Sequence, residues 1–266
     1  MRIKLVAIDI DGTLKAKQKR ITDRTKRAVQ KAVENGIHVI LSTGRGYIGT
    51  RPIIQELMLD DPVITFGGAV IVEPANGRPI YMHTLSPEAV KRALSCCQAL
   101  GIHAHIYHGD KVVCAEEDEY LLRYTSGQGL PYLIDPRINE RFWENVPKVL
   151  AMVGAEEEME MLSRVKNLLK DHAEVSKTEP GYIEINEKGT SKGESVRILA
   201  ERFGISREET AAIGDSFLDM SMIEWAGEGL AVANALPEVL AVADRVLPAC
   251  SEDGVAAYLE EISEKS

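Results

Sequence analysis

Apolar runs along this chain end repeatedly on carboxylates, hydroxyls or glycine. "IKLVAIDI" (3–10) is apolar almost throughout, as a strand buried on both faces of a parallel sheet would be. "ITDRTKRAVQKAVENG" (21–36) then predicts a helix, with Thr22 as N-cap, Gly36 just past its end and an apolar stripe of Ala28, Val29, Ala32 and Val33. "IHVILSTGR" (37–45) predicts a second strand ending in hydroxyls, and "PVITFGGAVIV" (62–72) a third. Strand, helix, strand at this spacing predicts right-handed βαβ units. Asn76–Gly77, between "AVIVE" and "RPIYM", is a hairpin signal.

The texture then changes. "LSPEAVKRALSCCQALG" (85–101) predicts a helix capped by Ser86 with Pro87 in its first turn. "IHAHIYHGDKVVCA" (102–115) predicts two strands around a Gly109–Asp110 turn. Residues 116–147 carry no clear periodicity. "KVLAMVG" (148–154), a helix over roughly 156–171 and "YIEIN" (182–186) complete a mixed α/β segment. The first pattern resumes with "SKGESVRILAERFG" (191–204), a helix closed by Gly204, and with a Ser206/Glu209 capping box. "TAAIGDSFLDM" (210–220) predicts a strand ending in carboxylates, and "GLAVAN" and "DRVLPA" two short strands. The expected fold is α/β: a Rossmann-like parallel-sheet core from residues 1–83 and 187–266, with an α/β cap inserted at 84–186.

Composition narrows the function classes. The 266 residues are 45% hydrophobic and 27% charged, the profile of a globular protein with a sizeable core. Aromatics are only 5%, so aliphatic side chains fill that core. A net charge of -10 argues against a broad nucleic-acid surface, which needs clustered Lys and Arg. The most basic stretch, "KAKQKR" (15–20), reads as a solvated loop. No apolar run reaches the ~18 residues of a membrane span, and the N-terminus reads as a strand, not as a signal peptide. Cys96, Cys97, Cys114 and Cys250 form no C-x-x-C pair, as expected of reduced thiols in a cytoplasmic protein. Oligomeric state is not legible.

Ligands of open parallel sheets bind outside the carboxyl ends of the strands. There the pattern places Asp9 and Asp11, then Ser42 and Thr43, then Asp215 and Asp219, with Lys192 opening a helix. Two like charges ~4 Å apart repel by about 4 kcal/mol at an effective dielectric near 20. Converging carboxylates therefore need a cation, and an all-oxygen set without Cys or His favours Mg²⁺ over zinc. With Mg²⁺ and Lys192 present, a phosphate ester can be held and attacked in line by a carboxylate. A second carboxylate two residues on can protonate the leaving oxygen. Gly12 lets the backbone pass close to the phosphoryl group, and the Thr43 hydroxyl can hold its oxygens.

"DIDGT", "LSTGR", "TSKGES" and "IGDSFLD" together resemble the four motifs of the haloacid dehalogenase superfamily, and most closely its Cof-type phosphatases. Between Asp11 and Thr43 lie 31 residues, too few for a cap, whereas 148 lie between Thr43 and Lys192. The resemblance implies Asp9 as nucleophile and Asp11 as general acid/base, with the Asp11 backbone carbonyl a Mg²⁺ ligand. It implies phosphate binding by Thr43 and the Gly44 backbone, and charge neutralisation by Lys192. Asp9 and Asp215 would ligate the metal, Asp219 would support them, and Asn234 would lie near the bound substrate. Two positions depart from the family pattern. Leu218 stands where G-D-x-x-N-D has Asn, and Gly67 where the third strand commonly ends N-G-A. These departures bear on rate and substrate choice more than on reaction class.

The expected activity is Mg²⁺-dependent hydrolysis of small phosphate esters, sugar phosphates or phosphorylated cofactors. A sugar phosphomutase and a non-catalytic metabolite-binding protein are the alternatives. Arg45 is expected at the cleft between domains, with a role toward substrate or domain closure. His103 and His105 would share the polar face of a cap strand, Cys96 and Cys97 would pack a helix, and "EEDE" (116–119) would be a solvated loop.

Overall fold

The computed structural model describes residues 2–16 and 19–264. They form two units. One comprises residues up to Gly46, Thr50–Tyr81 and the chain from Ser191 onward; the other comprises Tyr47–Gly49 and Met82–Thr190.

The first unit is built on a five-stranded parallel sheet. An interior strand, Leu5–Ile8, lies between Thr210–Gly214 and His38–Leu41, and all four of its residues are fully buried. Neighbours on both edges and side chains covered on both faces explain why this strand reads as one apolar run. Glu228–Val232 and Arg245–Leu247 continue the sheet.

The helix Asp23–Glu34 begins where Thr22 accepts a hydrogen bond from the Thr25 N–H, at 3.1 Å. Such a cap is worth about 1 kcal/mol. Thr25, Ala28, Val29 and Ala32 are buried, but Val33 is 43% exposed. At about 100° per residue, position 33 falls roughly a quarter turn from the centre of the stripe made by the other four. The helix Lys192–Phe203 is closed by Gly204, as its sequence predicts, and the structure adds Ser191 as the cap at its start. The Ser206/Glu209 box also forms, on a short 3-10 turn.

The expected third strand is instead a tight hairpin. Val63–Thr65 pairs antiparallel with Val70–Val72 across Phe66–Gly68, where three successive residues take positive φ. An apolar run conceals this reversal, because buried residues on both arms look like one strand. Gly68 is required there: a Cβ would sit 2.1 Å from the Ser191 carbonyl oxygen. Pro79–Met82 adds the third strand of this small sheet after the Asn76–Gly77 turn.

The second unit is a six-stranded sheet, antiparallel except for its pairing of Lys111–Cys114 with Tyr132–Ile134. The Pro87–Leu100 helix, capped by Ser86, and the Glu158–Leu169 helix share an apolar core with Ile106, Val149, Ala151, Ile183 and Ile185. Cys97 is buried in that core, and Cys96 packs at its edge. The poorly patterned stretch holds the Glu119–Gln128 helix and the Tyr132–Ile134 strand. The "EEDE" segment is more than a loop: Asp118 caps that helix and its carboxylate lies 2.7 Å from His103.

The shared face of His103 and His105 is buried, not polar and open. His103 Nε2 and His105 Nδ1 lie 2.9 Å apart, and His105 packs against the Tyr107 and Tyr124 rings. Burial, with the charge of Lys148 nearby, holds His105 well below the ordinary histidine pKa. Among the described residues no helix is long and apolar enough to cross a membrane.

Candidate active site

The first unit gathers its acidic groups at one end of the parallel sheet. Asp9 follows the Leu5–Ile8 strand directly, and its N–H is pinned to the Ile213 carbonyl at 3.0 Å. Lys192, in the first turn of its helix, places Nζ 2.6 Å from Asp9 Oδ1 and 2.5 Å from Asp219 Oδ1. Lys192 is 1% exposed and Asp219 0%. The other Asp219 oxygen accepts from the N–H groups of Asp215 and Ser216 and from the Ser216 hydroxyl, at 2.8–3.0 Å. Asp219 therefore orients the lysine and shapes the loop that carries Asp215.

Asp215 is positioned from the other side. Thr13 donates its hydroxyl to Asp215 Oδ1 at 2.7 Å. Gly12 has φ +99, and a Cβ there would lie 2.4 Å from Asp215 Oδ2. Glycine at 12 thus makes room for a carboxylate. Asn234 donates to the Gly12 carbonyl at 2.8 Å and accepts from the Cys250 N–H at 2.7 Å. Its amide therefore links the Gly12 backbone, within the "DIDGT" motif, to the backbone of Cys250.

Carboxylate oxygens of Asp9, Asp215 and Asp219 all lie within 4.8 Å of one another. Three carboxylates against one ammonium leave an excess of negative charge. Burial, with the charges of Asp219 and Asp215, pushes the Asp9 carboxyl well above the usual range despite Lys192. Lys192 is held above its ordinary pKa, since its two carboxylate partners outweigh its burial. An all-oxygen, electron-rich donor set of this kind fits a hard divalent cation. Asp9, Asp215 and Asp219 are the side chains whose oxygens lie close enough together to hold one.

Asp11 has a different environment. Arg45 grips its carboxylate with Nε at 2.5 Å and Nη2 at 2.7 Å, and Lys15 Nζ lies 3.2 Å away. Burial would raise the Asp11 pKa, but the two cations more than reverse that and lower it. Arg45, expected to serve the substrate or domain closure, is found paired with Asp11. Lys15, assigned from sequence to a solvated loop, is half-buried against the same carboxylate; Lys17 and Gln18 of that loop lie outside the described residues.

Thr43 is buried beside these groups, its hydroxyl accepting from the Arg45 N–H at 3.1 Å and its carbonyl from the Gly67 N–H at 3.0 Å. The Ser42 hydroxyl is buried without a hydrogen-bond partner. Sequence reasoning missed Thr13, Lys15 and Ser216. Thr13 could have been found, since it closes the "DGT" triplet; the other two become visible only when distant loops meet.

A family description, haloacid dehalogenase-like hydrolase, matches residues 6–259 of the chain. The 5-amino-6-(5-phospho-D-ribitylamino)uracil phosphatase YitU of Bacillus subtilis is 30% identical over 97% of this chain and 96% of its own length. A haloacid dehalogenase-like hydrolase from Bacteroides thetaiotaomicron superposes with a TM-score of 0.89 at 28% identity, over 98% of this chain and all of that one. A subclass IIB sugar phosphatase of the same superfamily superposes with a TM-score of 0.81 at 25% identity, covering 97% and 98% of the two chains. Full-length similarity in sequence and fold, together with the lysine-bridged carboxylates at the sheet end, leads to one conclusion: this chain belongs to the haloacid dehalogenase-like hydrolases, as a phosphatase.

Proposed function

We propose that the chain is a Mg²⁺-dependent phosphatase of small phosphorylated metabolites that works through a phosphoryl group carried on Asp9. The observation that supports this most is the Lys192 bridge. It holds Asp9 rigidly, in a site that still carries excess negative charge beside Asp215. Mg²⁺ held by Asp9, Asp215 and the Asp11 backbone carbonyl would offset that charge and polarise the phosphoryl oxygens. Asp9 attacks phosphorus in line, and Lys192 balances the charge of the nucleophile. The Thr43 hydroxyl and the Gly44 backbone N–H take the non-bridging oxygens.

Asp11 supplies a proton to the leaving oxygen and then draws one from the attacking water. Gripped by Arg45 and Lys15, it is in its ionised form. The first of these roles requires it to leave that grip and to take up a proton from water, so Arg45 controls when Asp11 is available. Residues 84–186 form the cap that selects the leaving group, and a reducing, cytoplasmic setting suits the four free cysteines.

Two relatives act on phosphorylated metabolites, one on a ribitylaminouracil phosphate and one on sugar phosphates. Their chemistry sets the panel for the test. Phosphate release is measured from sugar phosphates and phosphorylated cofactors, with Mg²⁺ and with excess EDTA. Activity should require Mg²⁺, and ³²P from substrate should appear on the protein at Asp9. Undiminished turnover in EDTA would refute the mechanism.

A further inference from the structure

The two positions that depart from the family pattern lie far apart in sequence and meet in space. A Cβ built on Gly67 would lie 3.9 Å from Leu218 Cδ2, and one built on Gly44 would lie 3.5 Å from Leu218 Cδ1. We propose that Leu218, seated against these two glycines, selects the ester's leaving group by favouring a ring or hydrocarbon face over a hydroxyl-bearing one. This deepens the phosphatase reading and rests on it.

The placement of Leu218 is controlled. It sits in the loop between Asp215 and Asp219, and three hydrogen bonds to one Asp219 oxygen hold that loop closed. Its methyls are aimed at the residue that follows Thr43, and at Gly67, whose N–H binds the Thr43 carbonyl. Leu218 is half-buried, whereas Phe217 beside it is 53% exposed. Gly67 has φ +67, so a side chain there would be strained even where space allows one. Phe66 extends the apolar surface, its ring lying 2.7 Å from where a Cβ on Gly46 would stand.

The edge of the phosphate-binding loop is thus walled by methyls and bare glycine backbone, with no side-chain hydrogen-bond partner from positions 44, 67 or 218. A hydroxyl pressed against that wall loses water and gains no side-chain partner, which costs free energy. A ring face loses nothing there. An Asn at 218 would offer both a donor and an acceptor.

The test uses Mg²⁺-loaded protein and phosphonates, which bind without turnover. Benzylphosphonate, 2,3-dihydroxypropylphosphonate and methylphosphonate are titrated by calorimetry. Wild type should bind the benzyl ligand about tenfold more tightly than the dihydroxypropyl one, the scale on which apolar pockets discriminate. Leu218→Asn should bring that ratio close to one while methylphosphonate affinity stays within about twofold, and Leu218→Met should restore the preference. A leucine that only packs the loop would shift all three ligands together, and that result would overturn the assignment. So would a wild type that prefers the dihydroxypropyl ligand or binds no phosphonate; these two readings need no variant to fold. Hydrolysis of benzyl phosphate and glycerol phosphate is followed in parallel. The predicted phosphonate preference with no hydrolysis of either ester would refute the phosphatase reading and still support Leu218 as the selector.

Discussion

Each unit of this protein buries a lysine against carboxylate, and the two lysines do different work. In the second unit Lys148 lies 2.6 Å from Glu184, both nearly inaccessible. The pair is balanced one to one. Thr178 adds a hydroxyl to the same Glu184 oxygen, and the Tyr107 ring lies beneath the ammonium. In the first unit Lys192 meets two carboxylates while a third stands nearby. A balanced buried pair locks a fold; an unbalanced one keeps an appetite for cations. A buried lysine is therefore no mark of a site by itself. The sign and size of the residual charge around it is the informative quantity.

The sharpest way to break the comparison is Asp9→Asn. It should lower phosphate release by roughly 10⁴-fold or more, as loss of a nucleophile does. Circular dichroism should show the fold retained. Residual activity above about 1% would move the nucleophile elsewhere.

Lys148→Met comes next, and it acts on stability. It strands the Glu184 carboxylate in the interior, a loss of about 3–5 kcal/mol. At roughly 2–4 °C per kcal/mol for a chain of this size, Tm should fall by about 10 °C. Lys148→Met with Glu184→Gln should recover at least half of that drop. If the double variant is no better than the single one, the balanced-pair interpretation fails.

Metal should separate the units further. Mg²⁺ at ~100 times its Kd should add about 2.7 kcal/mol of stability by mass action. Differential scanning fluorimetry would read this as a rise in Tm. The rise should persist in Lys148→Met and disappear in Asp215→Asn. An equal rise in both variants would place the cation away from the carboxylate cluster.

The smallest effect is a pH dependence carried by the second unit. Burial holds His105 well below the usual histidine pKa, with the charges of His103 and Lys148 acting in the same direction. His103 is lowered by burial too, opposed by Asp118 and Glu116. In the unfolded chain both take protons near pH 6.5, so there the unfolded state binds more protons than the folded one. Stability is therefore full above that pH and falls as pH drops through it, by roughly 1 kcal/mol per unit for one such group. Urea midpoints from pH 8 to 5 should show the decline, and His105→Gln should flatten it. The same slope in wild type and variant would assign it to other groups.

Short-range features were legible from residues alone. Thr22 and Ser86 cap their helices, and Gly204 closes one, because caps need only residues within a turn of each other. The buried Leu5–Ile8 strand and the carboxylates just beyond it follow from an apolar run that stops at charge. The Phe66–Gly68 reversal was hidden, since residues buried on both arms of a hairpin share the signature of a single strand. The burial of His103 and His105 was hidden for the opposite reason: histidine is polar by composition, and only the packing around it can make it interior.

The amino-acid sequence by itself determined the kind of chemistry available, namely acidic groups, one lysine and a hydroxyl at the ends of strands in a parallel sheet. The tertiary structure alone decided which of them touch. Lys192 reaches Asp9 across 183 positions, Asn234 reaches the Gly12 carbonyl across 222, and Arg45 takes hold of Asp11 across 34. Local preferences act over a few residues, and such pairings arise only when chain packing brings distant loops together. A side chain's role at the site is then set by whichever opposite charge or free backbone group it meets there.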